Sequence, residues 1–181
     1  FVAGQRALND YNRTNRALRS IAAMFSAGRD DAIQSVARLM DEHKQLTRRA
    51  RTLEEVAARV EAEEIWNEAR TLSVDIKLCA RVLEDRDADS LKKLAFALIA
   101  HPKTIALLGS RDAETARLVF ARSMDAPGDM NALMREACGM LEGKGGGRAD
   151  MAQGGGRLLE KLDEAIELSI KHLTEQSSEE V

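Results

Sequence analysis

The chain has 181 residues, 44% of them hydrophobic, 31% charged and only 3% aromatic, with a net charge of −3. That is long enough to bury a core without staples, and the wealth of Ala, Arg, Glu and Leu leans towards helix. No apolar run approaches the roughly 20 residues that cross a bilayer, so neither a membrane-spanning helix nor a membrane partner is expected. Cys79 and Cys138 lie far apart and form no CxxC pair, which predicts buried thiols in a reducing, cytoplasmic compartment. The chain opens FVAGQRAL without Met, as a piece of a longer protein would.

The first half reads as two helices. Leu8, Tyr11, Asn15, Leu18, Ala22 and Phe25 recur at steps of three and four, one stripe along a helix. Gly28 suits its C-terminus, and Asp30 or Asp31 can cap a second helix running to about Arg70. Val36, Leu39, His43, Leu46, Ala50, Leu53, Ala57 and Val60 form a heptad-like seam on that helix. A stripe this long must pack on the first helix, on a second copy of itself, or on both. From Arg6 to Arg59 there are eleven Lys or Arg against seven Asp or Glu, a surplus that suits either an anionic partner such as RNA or a solvated face.

The period then changes. Val74, Ile76, Leu78, Ala80 and Val82 alternate with polar residues, the pattern of a half-buried strand. Asp89 or Ser90 can cap a helix through Leu91, Leu94 and Leu98 that ends at His101-Pro102. Thr104–Leu108 is a short strand stopped by Gly109, and Thr115–Arg122 is another. Asp129 caps a helix through Leu133 and Leu141, Ala149–Gln153 is of strand length, and Leu158–Thr174 closes as an amphipathic helix. The expected fold is therefore α+β or α/β: a helical hairpin over residues 1–71, a small β-α-β-β-α-β-α domain over 72–176, and a disordered acidic tail over 177–181.

Little in the chain can catalyse. His43, His101 and His172 have no second His or Cys at metal-ligand spacing, and acidic pairs such as Glu54-Glu55 sit on helices as solvated faces. There is no GxSxG, P-loop or HExxH motif. The distinctive stretch is Gly143–Arg157, GKGGGRADMAQGGGR, which holds seven of the twelve glycines. It reads either as a flexible connector or as a backbone cradle for an anion, with Lys144, Arg148 and Arg157 supplying charge and the last helix starting at Arg157.

GKGGGRADMAQGGG resembles the glycine-rich signature of the DHHA1 domain, found at the C-terminus of alanyl-tRNA synthetases and of long-form alanyl-tRNA editing proteins. FVAGQRALNDY and the long Glu- and Arg-rich helix resemble what precedes DHHA1 there, with the RALxDY spacing closer to the editing proteins. Gly145, Gly146, Gly147, Asp150, Ala152, Gln153, Gly155 and Gly156 match the signature; Met151 and Gly154 depart from it slightly. The resemblance implies a C-terminal module that binds alanine-specific tRNA and self-associates through its arm. Its phosphate-binding set would be Lys144, Gly145, Gly146, Gly147, Arg148, Gln153, Gly155, Gly156 and Arg157. Its homodimer seam would be Val36, Leu39, His43, Leu46, Leu53 and Val60. The deacylase site for mischarged Ser- or Gly-tRNA would lie upstream in a zinc domain, so this chain itself is expected to hold no cofactor and no catalytic residue. DHHA1 also occurs in DHH phosphoesterases, but no Asp-His-His motif is present and Arg148 stands where those enzymes usually carry His. A purely structural dimerisation module is the remaining alternative.

Overall fold

The computed structural model describes residues 4–26, 28, 31–73 and 75–179. Helix α1, Gln5–Met24, forms where expected, but of its stripe only Ala22 is buried, and Leu8 and Tyr11 are exposed. Its end is set not by Gly28 but by Ser26, whose φ of 51° turns the chain while the Phe25 and Ser26 N–H groups donate to Ala22 and Ala23. Helix α2, Ala32–Asn67, has no Pro or Gly in its 36 residues. Asp30, offered as its cap, and Val74, offered as a strand residue, lie outside the described residues. The chain divides into two compact units, Phe1–Thr52 and Leu53–Val181.

The second unit is built on a six-stranded sheet ordered β1-β2-β3-β4-β6-β5, with β1 Arg70–Ser73, β2 Ile76–Glu84, β3 Thr104–Arg111, β4 Ala116–Arg122, β5 Lys144–Gly147 and β6 Met151–Gly156. Among the described residues only β2 and β3 pair in parallel, and the helix between them, α3 (Ala88–Leu98), makes the crossover that parallel pairing needs. Helix α4 spans Met130–Met140 and α5 spans Leu162–Glu179.

Both faces of the sheet are covered. Leu78, Ile105, Leu107, Leu118 and Phe120 pack under α4 and α5, against Met134, Leu141, Leu162 and Ile166. Cys79, Ala106, Leu108, Val119 and Ala121 pack under α3 and the end of α2, against Leu91, Leu94, Leu98, Ala62 and Ile65. Burial on two sides explains why β3 is buried without a break from Thr104 through Ser110, around the apolar run Ile105–Leu108. β2 is mostly half-buried, as its alternation predicts, but Cys79, expected on the polar side, is as buried as Leu78.

The expected N-terminal helices and small mixed domain are present, but several boundaries move. α2 stops at Asn67, where the Trp66 carbonyl accepts from the Ala69 N–H at 3.3 Å and from the Lys77 ammonium at 3.1 Å, and Arg70 already belongs to a strand. The cap of α3 is Asp87, which accepts from the Ser90 N–H, not Asp89 or Ser90. Gly109 does not stop β3: α5 crosses so closely that a Cβ there would lie 2.8 Å from Ile166 Cδ1. Both glycine triplets are strands, β5 and β6, so the order is β-β-α-β-β-α-β-β-α. The last helix starts later than Arg157. A 3-10 turn over Leu159–Lys161 intervenes, and the Arg157 and Leu158 N–H groups both donate to the Leu141 carbonyl. At its far end α5 reaches Glu179, into the stretch expected as tail.

Candidate nucleic-acid interface

The glycine stretch is an ordered hairpin. Lys144 pairs with Gly155, Gly145 with Gly154, Gly146 with Gln153 and Gly147 with Ala152. Arg148 and Met151 exchange backbone hydrogen bonds of 2.7 and 3.2 Å around Ala149 and Asp150, a two-residue turn. β6 is also laddered to β4 along its whole length. A backbone so engaged is not the flexible connector that glycine content allowed.

Packing explains most of the glycines. α4 lies directly on the hairpin, so a Cβ on Gly145 would stand 2.6 Å from Cys138 Sγ and 2.9 Å from Met134 Cγ. One on Gly154 would stand 2.5 Å from Cys138 Sγ, and one on Gly156 would meet Leu141 Cβ at 2.5 Å. Gly143, Gly147 and Gly155 are closed by the carbonyls of Gly155, Met151 and Ala116. Gly146 is different. Its nearest neighbour would be Asn131 Oδ1 at 3.5 Å, an ordinary contact, and its φ is not in the left-handed region. Neither packing nor backbone conformation requires glycine there.

Side chains alternate across a strand. With Gly145, Gly147, Ala152 and Gly154 turned to α4, the opposite face carries Lys144, Gly146 and Arg148 on β5, beside Gly155, Gln153 and Met151 on β6. Lys144, Arg148 and Gln153 are exposed, and Arg148 remains 84% exposed although Asp150 lies 3.3 Å from its Nε. The bare backbone of Gly146 thus lies between two cations on one face, with an amide opposite. Arg157, also exposed, follows β6 in the bend before the 3-10 turn.

Other expected groups are placed elsewhere. His101 stacks on Trp66 at 4.5 Å, with the Lys77 ammonium 3.4 Å from the same ring's centroid and Glu63 3.2 Å from Nε2. His172 pairs with Glu136 across α4 and α5 at 2.8 Å. Cys79 and Cys138 are buried free thiols, and burial pushes Cys79 up to about 11 despite Lys77 nearby. Among the described residues no cluster of His, Cys, Asp or Glu could hold a metal, and no helix is long and apolar enough to cross a membrane. A cleft of about 370 Å³ at the other edge of the sheet is lined by Glu68, Asp163 and Glu167 against Arg70 and Arg81. Arg81 is already paired with Glu68, so that cleft does not suit a polyanion.

Leu39, Leu46, Leu53 and Val60, seven residues apart, are 51, 63, 69 and 57% exposed, and His43 is exposed beside them. Val36 is half-buried.

Comparison with known proteins agrees with this architecture. The alanine–tRNA ligase of Pseudomonas entomophila is 30% identical over 174 residues, 93% of this chain and 20% of that protein. The ligase of Saccharophagus degradans is 31% identical over 168 residues, 91% of this chain and 19% of that protein. The chain therefore spans about a fifth of the length of these curated relatives. The C-Ala domain from Aquifex aeolicus alanyl-tRNA synthetase superposes with a TM-score of 0.52 at 32% identity, over 55% of this chain and 93% of that one. Residues 75–175, most of the sheet unit, match the DHHA1 domain, and the chain belongs to that family.

Proposed function

We propose that this chain is the tRNA-binding C-terminal module of a longer protein acting on alanine tRNA, and that it grips RNA phosphate with the Lys144–Gly146–Arg148 face of its glycine hairpin. The observation that carries the site is Gly146, a glycine that the fold leaves unexplained, set between two exposed cations. Bare backbone admits an anionic oxygen closer than any side chain would, and flanking charges of Lys and Arg hold it. Gln153 adds a polar contact across the ladder, Arg157 extends the positive edge, and the remaining glycines of the set, Gly145, Gly147, Gly155 and Gly156, let α4 and β4 seat the hairpin. Similarity to alanine–tRNA ligases over more than nine-tenths of the chain supports alanine tRNA as the partner. Both a ligase and an editing hydrolase remain candidate parents; aminoacylation and deacylation assays on the full-length protein separate them.

Salt dependence tests the grip. Each phosphate contact contributes a log–log slope of about 0.7 to 0.9. Lys144→Ala with Arg148→Ala should lower the slope by about two such contacts and weaken binding of tRNA. Wild-type chain that fails to retain tRNA at low salt and high micromolar concentration would contradict the proposal.

The same reading includes a homodimer through α2. The exposed Leu39, Leu46, Leu53 and Val60 present a zipper-like row that a second copy would bury.

A further inference from the structure

In an antiparallel pair, residues that exchange backbone hydrogen bonds alternate with residues that do not. Arg148 and Met151 exchange both of theirs, so Gly146 with Gln153 and Lys144 with Gly155 do the same. The backbone groups of Gly145 and Gly147 therefore point away from β6, to the free side of β5, the last strand of the sheet. On that side the Gly147 N–H donates to Asn131 Oδ1 at 3.0 Å.

Asn131 stands in the first turn of α4, whose own end is satisfied from within. The Asp129 carboxylate accepts from the Asn131 and Ala132 N–H groups, and the Ala149 carbonyl accepts from the Met130 N–H. The side-chain amide of Asn131 is different. Its oxygen is committed to Gly147, which fixes the amide's orientation and turns the two Nδ2 hydrogens away from that bond. Among the described residues no acceptor takes them. The same oxygen would stand 3.5 Å from a Cβ on Gly146, and that Cβ would point into the face of Lys144 and Arg148. The amide thus reaches around the free edge of β5 to the level of Gly146. It brings a neutral donor beside the two cations.

We infer that Asn131 has two roles in the RNA grip: its oxygen holds the hairpin edge through Gly147, and its Nδ2 donates to the phosphate oxygen seated on Gly146. This rests on the RNA-binding reading above. A neutral donor strengthens the hold on a charged oxygen without changing how many counterions are released, whereas each cation adds to that number. The experiment measures binding of alanine tRNA to the whole chain across a salt series, with exchange of the Gly147 amide hydrogen followed by NMR. The variants are Asn131→Asp, Asn131→Ala, Ala132→Asp and the Lys144→Ala/Arg148→Ala pair. Asn131→Asp keeps an oxygen for Gly147 and loses both donor hydrogens; Ala132→Asp puts the same charge on the exposed neighbouring position. Gly147 should stay protected in Asn131→Asp, and affinity should fall about tenfold further than in Ala132→Asp. In Asn131→Ala the Gly147 hydrogen should exchange faster and affinity should fall about tenfold with the salt slope unchanged, while the cation pair lowers the slope. If Asn131→Asp keeps Gly147 protected and binds like Ala132→Asp, the donor role is wrong, and the hairpin grip stands when the cation pair is weakened. A slope that falls in Asn131→Ala as far as in the cation pair would make the residue a structural prop and also overturn the donor. Lost protection of Gly147 in Asn131→Asp would overturn the edge role. If wild type does not bind tRNA, the RNA reading falls and takes the donor with it.

Discussion

Two glycines a residue apart have different reasons to be glycine. Gly145 is closed by Cys138 and Met134, whereas a Cβ on Gly146 would meet only Asn131 Oδ1, at an ordinary 3.5 Å. Gly145→Ala should therefore destabilise the domain by about 1 to 3 kcal/mol through overpacking, read as a lower melting temperature. The sequence alone could not make this distinction, because a triplet carries no side chains to mark which residue faces a helix. Cys79 is a second residue whose state follows from burial. Its thiol is held neutral up to about 11, chiefly by desolvation, with Lys77 opposing. An unfolded cysteine ionises near about 8.5. The sign is that of a raised folded-state value: the contribution is fully present below about 8.5 and lost as pH rises towards 11. Cys79→Ala should flatten part of the alkaline fall in stability measured by denaturant titration, and the wild-type thiol should resist alkylation at pH 8 until the chain is unfolded.

At the scale of elements, caps and turns decide the boundaries. The β3–β4 turn is held by Asp112, whose carboxylate accepts from the Glu114 and Thr115 N–H groups at 2.8 Å and pairs with Arg117 at 2.6 Å. The two backbone donors, then Arg117, hold its pKa well below the usual carboxylate range. A lowered folded-state value stabilises above the unfolded pKa, about 3.9, and the contribution is lost as pH falls through the folded one. Asp112→Asn keeps the turn acceptor and loses the charge, so its melting temperature should fall below wild type at pH 7 and the gap should close in strong acid. The helices and strands with alternating or 3.6-residue patterns were legible in the sequence, as was the Asp129 cap. β5 and β6 were not. Their signal is the absence of side chains, which looks like a loop until α4 is seen to require it. β1 was hidden because Arg70–Ser73 continues a helix-like composition, and its strand state comes from pairing with β2.

At the scale of the whole molecule, the arm and the sheet unit present different surfaces. The Leu39–Val60 row predicts self-association: sedimentation should show a dimer at micromolar concentration, and Leu39→Gln with Leu46→Gln should give a monomer of unchanged helix content. A wild-type monomer at all concentrations would leave the row without this role. The architecture and the position of the candidate site were readable from GKGGGRADMAQGGGR and its resemblance to DHHA1. Which glycine is free, and that Lys144, Gly146 and Arg148 share one face, required the register with β6. The most direct measurement is the affinity of Gly146→Ala for alanine tRNA, taken beside its melting temperature. A methyl group fits there at ordinary contact distance, so the melting temperature should match wild type while affinity falls about tenfold through lost close approach. Wild-type affinity in a folded Gly146→Ala chain would show that the hairpin face does not hold the RNA.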